Sequence, residues 1–126
     1  MEKQEIIIIT KSTAGILAKL GLAQKKRIEV FRVSDNSFFY NSTLGDIGEI
    51  NSKFIELIEC VNFETTKVIK IKLTESFDLK YKLSKFRQKL SELYKSKTGA
   101  EILIFQNETD WDLVELSEIL KEKLNK

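Results

Sequence analysis

Apolar positions along this chain change period several times, and each change marks an element. Ile6-Ile7-Ile8-Ile9 is a continuous aliphatic run, the pattern of a short buried strand. Thr10-Lys11-Ser12-Thr13 reads as a polar turn in which Ser12 or Thr13 can cap a short helix over 14–20, with Gly21 at its C-terminal end. Ile28, Val30, Phe31 and Val33 give residues 27–33 the β-branched and aromatic bulk of a strand. Ser34-Asp35-Asn36 is a turn cluster, and Ser37-Phe38-Phe39-Tyr40 resumes extended chain, its aromatic cluster reading as core.

Residues 43–61 admit two readings. Ile47, Ile50, Phe54, Leu57 and Val61 fall at helical spacing, and Thr43 with Asp46 could form a capping box. Gly45 and Gly48 oppose that helix, each costing about 1 kcal/mol against alanine. The reading favoured here is a loop through 41–52, then a hairpin of strands 53–60 and 66–73, turning near Asn62-Phe63-Glu64. Its second strand alternates: Ile69, Ile71 and Leu73 point one way, Lys70 and Lys72 the other.

The clearest periodicity runs from 77 to 97. Leu79, Leu83, Phe86, Leu90 and Leu93 recur at helical spacing, predicting a long helix with that stripe in the core, Ser76 as N-cap and Gly99 as stop. Residues 100–105 read as a buried strand and 106–109 as a loop. Thr109 with Asp112 resembles a capping box for a last helix that buries Leu113, Leu116, Leu120 and Leu124. Its acids come early and its lysines late, as the helix dipole prefers. The pattern as a whole predicts an α+β chain forming one domain over 1–126, with a central mixed sheet of about five strands, one long helix and one or two shorter ones.

Charge changes this picture in one respect. The formal net charge is only +2, yet residues 67–97 hold ten basic side chains against Glu75, Asp78 and Glu92. Residues 98–126 hold seven acids against three lysines. The basic middle is either a face for an acidic partner or is partly neutralised by the acidic last helix. The longest aliphatic run has four residues, far short of the roughly 20 of a membrane span. Met1-Glu2-Lys3-Gln4-Glu5 lacks the basic start of a signal peptide, so a cytoplasmic protein is expected.

Little points to catalysis. The chain has no histidine, which excludes Ser-His-Asp and Cys-His chemistry and removes the commonest zinc ligand. Cys60, the one cysteine, has apolar neighbours in Leu57, Ile58 and Val61 and reads as a small buried hydrophobe. Lys11-Ser12-Thr13 lacks the glycines of a phosphate-binding loop. The carboxylate pairs Asp110/Asp112 and Glu56/Glu59 occupy surface-type positions. Asp46, Glu49 and Asp110 could supply oxygens to calcium, without the spacing of an EF-hand. Trp111 reads as a hydrophobic cover. No enzymatic activity and no cofactor are expected.

Three segments carry a family resemblance. Arg27-Ile28-Glu29-Val30-Phe31-Arg32-Val33 is similar to the first-strand pattern basic-Ile-x-Val-Trp-Arg-Val of the gelsolin/villin family, with Phe in place of Trp. Gly48-Glu49-Ile50-Asn51-Ser52-Lys53-Phe54-Ile55 resembles, with a gap, the family's Gly-x-Phe-x-x-Gly-Asp-x-Tyr-Ile. The stretch from Glu101 to Trp111 resembles the family's closing strand, acidic loop and aromatic helix start. The resemblance spans 24–124 and leaves 1–23 outside. It implies a gelsolin-like fold and binding of actin, or an actin-like protein, by the long helix. The residues it implicates lie off the Leu/Phe stripe: Phe77, Lys80, Tyr81, Ser84, Arg87, Gln88 and Ser91. The family's calcium-ligating Asp falls on Ser52 here, so the family's calcium ligands are not matched. A single domain suits capping or sequestering rather than severing.

Other partners fit the same sequence. One alternative is a nucleic-acid-binding domain using Lys67, Lys70, Lys72, Lys80, Lys85, Arg87 and Lys89. Another is a small inhibitor or immunity-type binder. A helix over 45–60 would instead make a ferredoxin-like core the fold.

Overall fold

The computed structural model describes residues 7–13, 26–42, 45–77, 79 and 83–126. The helix expected over 14–20, Lys80 and Tyr81 lie outside them. The described chain is α+β. Strands β1 (Ile7–Thr13), β2 (Lys26–Val33), β3 (Ser37–Ser42) and β4 (Gly45–Asn51) form an antiparallel sheet in that order. Strands β5 (Ile55–Phe63), β6 (Thr66–Leu73) and β7 (Ile102–Phe105) form a second antiparallel sheet. Helix α1 (Lys85–Thr98) precedes β7, and α2 (Leu113–Leu124) closes the chain.

Two sheets thus replace the single mixed sheet expected, and the reason lies in residues 45–51. These residues form a strand, neither helix nor loop, because Gly48 takes φ 79° opposite Tyr40, where the β3–β4 ladder shifts register. A positive φ at little cost is what glycine supplies. The new strand closes the first sheet as a meander, and the Ser52–Phe54 turn then starts the second. Residues 45–60 are two strands joined by the single 3-10 turn Ser52–Phe54, with no α-helix, so the ferredoxin-like alternative fails with them. The 10–13 segment is also strand and not turn, carried past a register shift at Ile9/Thr10 by pairing with residues 26–29.

Within the first sheet the inner face is aliphatic and aromatic. Ile9, Phe31, Val33, Phe38, Tyr40 and Ile50 are all fully buried. Phe31 stacks on Phe38 with ring centroids 5.8 Å apart. The outer face is polar-aromatic: Arg32 pairs with Glu29 at 2.8 Å and lies over the Phe39 ring. In the second sheet the expected alternation holds. Ile69, Ile71 and Leu73 are buried, and Lys70 and Lys72 reach across the hairpin to Glu59 and Glu56 at 3.5 and 3.4 Å. The basic segment is therefore partly neutralised by β5 and, through Lys97–Glu64 at 3.8 Å, by the hairpin turn. None of these ion pairs involves the acidic last helix expected to supply the counter-charge.

Helix α2 buries the leucines expected of it but starts later than the Thr109/Asp112 capping box implied, because Thr109 closes the Gln106–Glu108 turn. Asp112 is the N-cap, accepting from the Glu115 N–H at 3.1 Å. Leu113, Leu116, Leu120 and Leu124 are buried against β5, β6 and β2. One continuous apolar cluster includes residues of both sheets and both helices. The short Gln106–Glu108 turn fixes the join. Glu108, 4% exposed, accepts from the Phe105 N–H at 2.6 Å and from the Tyr40 hydroxyl at 3.4 Å. Gln106 donates to the Trp111 carbonyl at 2.6 Å and accepts from the Leu113 N–H at 3.2 Å.

Replacing Glu108 by Ala strips both donors of a buried acceptor. It should lower unfolding free energy by about 2–3 kcal/mol, with Tyr40→Phe costing about 1 kcal/mol. Urea unfolding at neutral pH measures both losses, and equal values for the two variants would show that Tyr40 carries the whole effect.

Candidate functional site

Helix α1 is shorter than its periodicity predicts and is turned about its axis. It starts at Lys85 with Ser84 as N-cap, because the start proposed at Ser76 is spent on a turn. There the Ser76 hydroxyl lies 2.9 Å from that of Thr74, and the Phe77 N–H donates to the Thr74 carbonyl at 3.1 Å. At the other end Gly99 stops the helix as predicted, in the left-handed conformation at φ 81°.

The face that packs is Ser91, Tyr94 and Thr98. Ser91 is 5% exposed and donates to the Glu101 carbonyl at 2.8 Å. Tyr94 meets Phe105 and Phe63 with centroids 6.0 and 6.4 Å away. Burial, and then the Glu108 carboxylate, raise the Tyr94 phenol's pKa above its usual value. Leu79 and Leu83 are buried as expected, though ahead of the helix. Of the remainder of the predicted core stripe, Leu90 is half-buried against the core, whereas Phe86 is 76% exposed and Leu93 is 48% exposed. Seven residues advance a helix by about two turns, so Phe86, Leu90 and Leu93 form one stripe on its flank. A small serine and a tyrosine decide the docking. Ser91 lets the helix approach the backbone at Glu101, and Tyr94 fills the space over β7.

The residues implicated from sequence accordingly divide. Phe77 is not helical; its ring packs on Phe54 at 5.4 Å as part of the core's edge. Ser84 caps the helix, its hydroxyl accepting from the Arg87 N–H at 3.3 Å. Gln88 donates to the Leu83 carbonyl at 3.0 Å, and Ser91 is inside. Arg87 is exposed. Phe86 and Leu93 were missed because helical spacing alone does not say which stripe faces the protein. The cations bracketing them, Lys85, Lys89 and Lys97, were the available signal.

Between α1 and the end of β6 lies an open cleft of about 1060 Å³, whose lining includes Lys72, Leu83, Gln88, Ser91, Lys95 and Glu101. One Glu101 carboxylate oxygen accepts from the Leu73 N–H at 3.1 Å; the other is buried with no hydrogen-bond partner among the described residues. Burial raises the pKa of this carboxyl, against the Leu73 hydrogen bond and the charges of Lys95 and Lys72. On the far side, Cys60 shares a shallow hollow with Val114, Ser117 and Lys121 of α2. The Cys60 thiol's pKa is raised chiefly by burial.

The other candidate groups have ordinary partners. Glu56 and Glu59 face lysines, Asp112 is a cap, and Trp111 is half-buried against the core. Among the described residues no group of three or more Asp, Glu or Cys side chains is placed to hold a metal ion. Glu49 and Asp110 are exposed, and the side chain of Asp46 lies outside the described set. Ser52 donates its N–H to the Asn36 carbonyl at 2.7 Å, a structural bond. Among the described residues no helix is long and apolar enough to cross a membrane. No protein-family model, curated protein or solved structure matches the chain.

A carboxyl whose folded pKa lies above its unfolded value binds more protons in the folded state. Stability therefore falls as pH rises through the window between those two values. Glu101→Gln should remove this decline, leaving a variant more stable than the parent at neutral pH and no more stable in acid. Urea midpoints measured from acidic to neutral pH test this; parallel curves would exclude Glu101 as the source.

Proposed function

We propose that this chain is a non-enzymatic binding module that presents α1 to a protein partner. The observation that carries this reading is the pair of exposed apolar side chains Phe86 and Leu93 on one flank of a 14-residue helix, with Leu90 half-buried between them. Apolar side chains gathered on one exposed helix flank suit a helix-in-groove interface, where a few buried anchors supply most of the affinity. On the resemblance to gelsolin/villin modules, the partner is actin or an actin-like protein, and the action is capping or sequestering without calcium control. The gelsolin-like arrangement of the core belongs to the same proposal.

The anchors shift from the residues first implicated to their neighbours. Ser91, Gln88 and Ser84 are occupied in holding α1 in place, so Phe86 and Leu93 make the contact and Arg87 stands beside it. The nucleic-acid alternative is weakened by ion pairing: of its basic set, Lys70 and Lys72 already have carboxylate partners on β5.

The test is actin polymerisation and complex formation with the wild-type chain and a Phe86→Ser, Leu93→Ser double variant. The expected result is binding that the variant weakens by about 2–4 kcal/mol. Folding stability should change little, since both side chains are exposed. Absence of binding at micromolar protein would remove actin as the partner, and unchanged binding by the variant would remove α1 as the interface.

A further inference from the structure

The two helices treat the helix dipole in opposite ways. Helix α2 starts with Asp112 and Glu115 and ends with Lys121 and Lys123, so each terminus meets a charge that stabilises it. Helix α1 has an uncharged N-cap and no acid in its first turn. Lys85 and Arg87 stand there instead, with Lys89 one turn on from Lys85. Cations at this end oppose the dipole, and like charges four residues apart repel. Among the described residues none of the three has a salt-bridge partner. Farther along the same helix Lys97 is paired with Glu64, and Lys95 lies near enough to Glu101 to favour its ionised form. The uncompensated positive charge is thus confined to the N-terminal half of α1, around Phe86, the most exposed large hydrophobic side chain described.

We propose that the partner of α1 presents an acidic rim to the helix's N-terminal half and an apolar slot to Phe86, Leu90 and Leu93. This rests on the reading of α1 as the interface and adds the partner's electrostatic character. Carboxylates at Lys85, Arg87 and Lys89 complement both the cations and the positive end of the dipole, relieving in the complex a repulsion the free chain retains. The apolar half of the stripe points to a protein rather than a nucleic acid. Leu90 and Leu93 are aliphatic and offer no ring for a base to stack on.

The proposal predicts that binding and stability move in opposite directions. A Lys85→Glu, Arg87→Glu variant places acids in the first turn, so its thermal midpoint should rise, most at low salt. Its affinity for an acidic amphipathic peptide of alternating Glu and Leu should fall by about tenfold or more, chiefly in association rate. The Phe86→Ser, Leu93→Ser variant serves as the control. Wild-type binding should weaken with salt and perturb the Phe86, Leu90 and Leu93 NMR signals. Loss of peptide binding in the Ser variant but not in the Glu variant would overturn the acidic rim while keeping α1 as the interface. Insensitivity to the Ser changes would remove the interface itself. A lowered thermal midpoint in the Glu variant would make the cations structural, and tighter binding of duplex DNA through the same residues would assign them to phosphates; either overturns the proposal.

Discussion

A buried carboxyl hydrogen-bonds between the two sheets of this molecule. Glu108 sits in the turn after β7, holds the backbone of Phe105 with one oxygen and meets the Tyr40 hydroxyl from the other sheet with its second. The two antiparallel sheets have no ladder in common, so their alignment depends on side chains. Apolar packing brings them together but is nondirectional. A hydrogen-bonded group in the interior costs too much to leave unmatched, and that penalty selects one arrangement among the many that would bury similar area. The neighbouring Gln106 uses both ends of its amide on the start of α2, so the same short turn sets the second sheet, the first sheet and the last helix.

The parts of the fold legible in the sequence are those where one local signal is sufficient. Helix α2 has its leucine stripe and dipole-matched charges in register and both agree with its packing, although its cap is Asp112 and not Thr109. Strand β6 alternates cleanly because one face meets the core and the other meets the acids of β5. Strand β4 was not legible, since two glycines weigh against any regular element until a register shift needs a positive φ. The docking of α1 was not legible either. Five leucine and phenylalanine positions form the stronger apolar stripe, yet Ser91 and Tyr94 face inward, because fit against Phe105, Phe63 and the Glu101 backbone outweighs summed hydrophobicity. Of the residues implicated from the sequence, Ser84, Gln88 and Ser91 therefore serve to hold α1, while the exposed apolar side chains of that helix are Phe86 and Leu93.

That inversion leaves the two faces of α1 with separate tasks. The inward face holds the helix through one serine hydroxyl, one tyrosine ring and the Thr98 hydroxyl, which donates to the Tyr94 carbonyl at 2.8 Å. The outward flank carries the exposed side chains of Phe86 and Leu93 and cations that oppose the dipole. Neither is what folding alone would favour, and both lie on one element.

The position of Cys60 has a practical consequence. A thiol reacts as its thiolate, and this one is held neutral in a hollow walled by α2. Its alkylation in native buffer should therefore be slower than that of a fully exposed thiol. With no second cysteine in the chain, the signal comes from one place, so a label on Cys60 reports on the seam between α2 and β5.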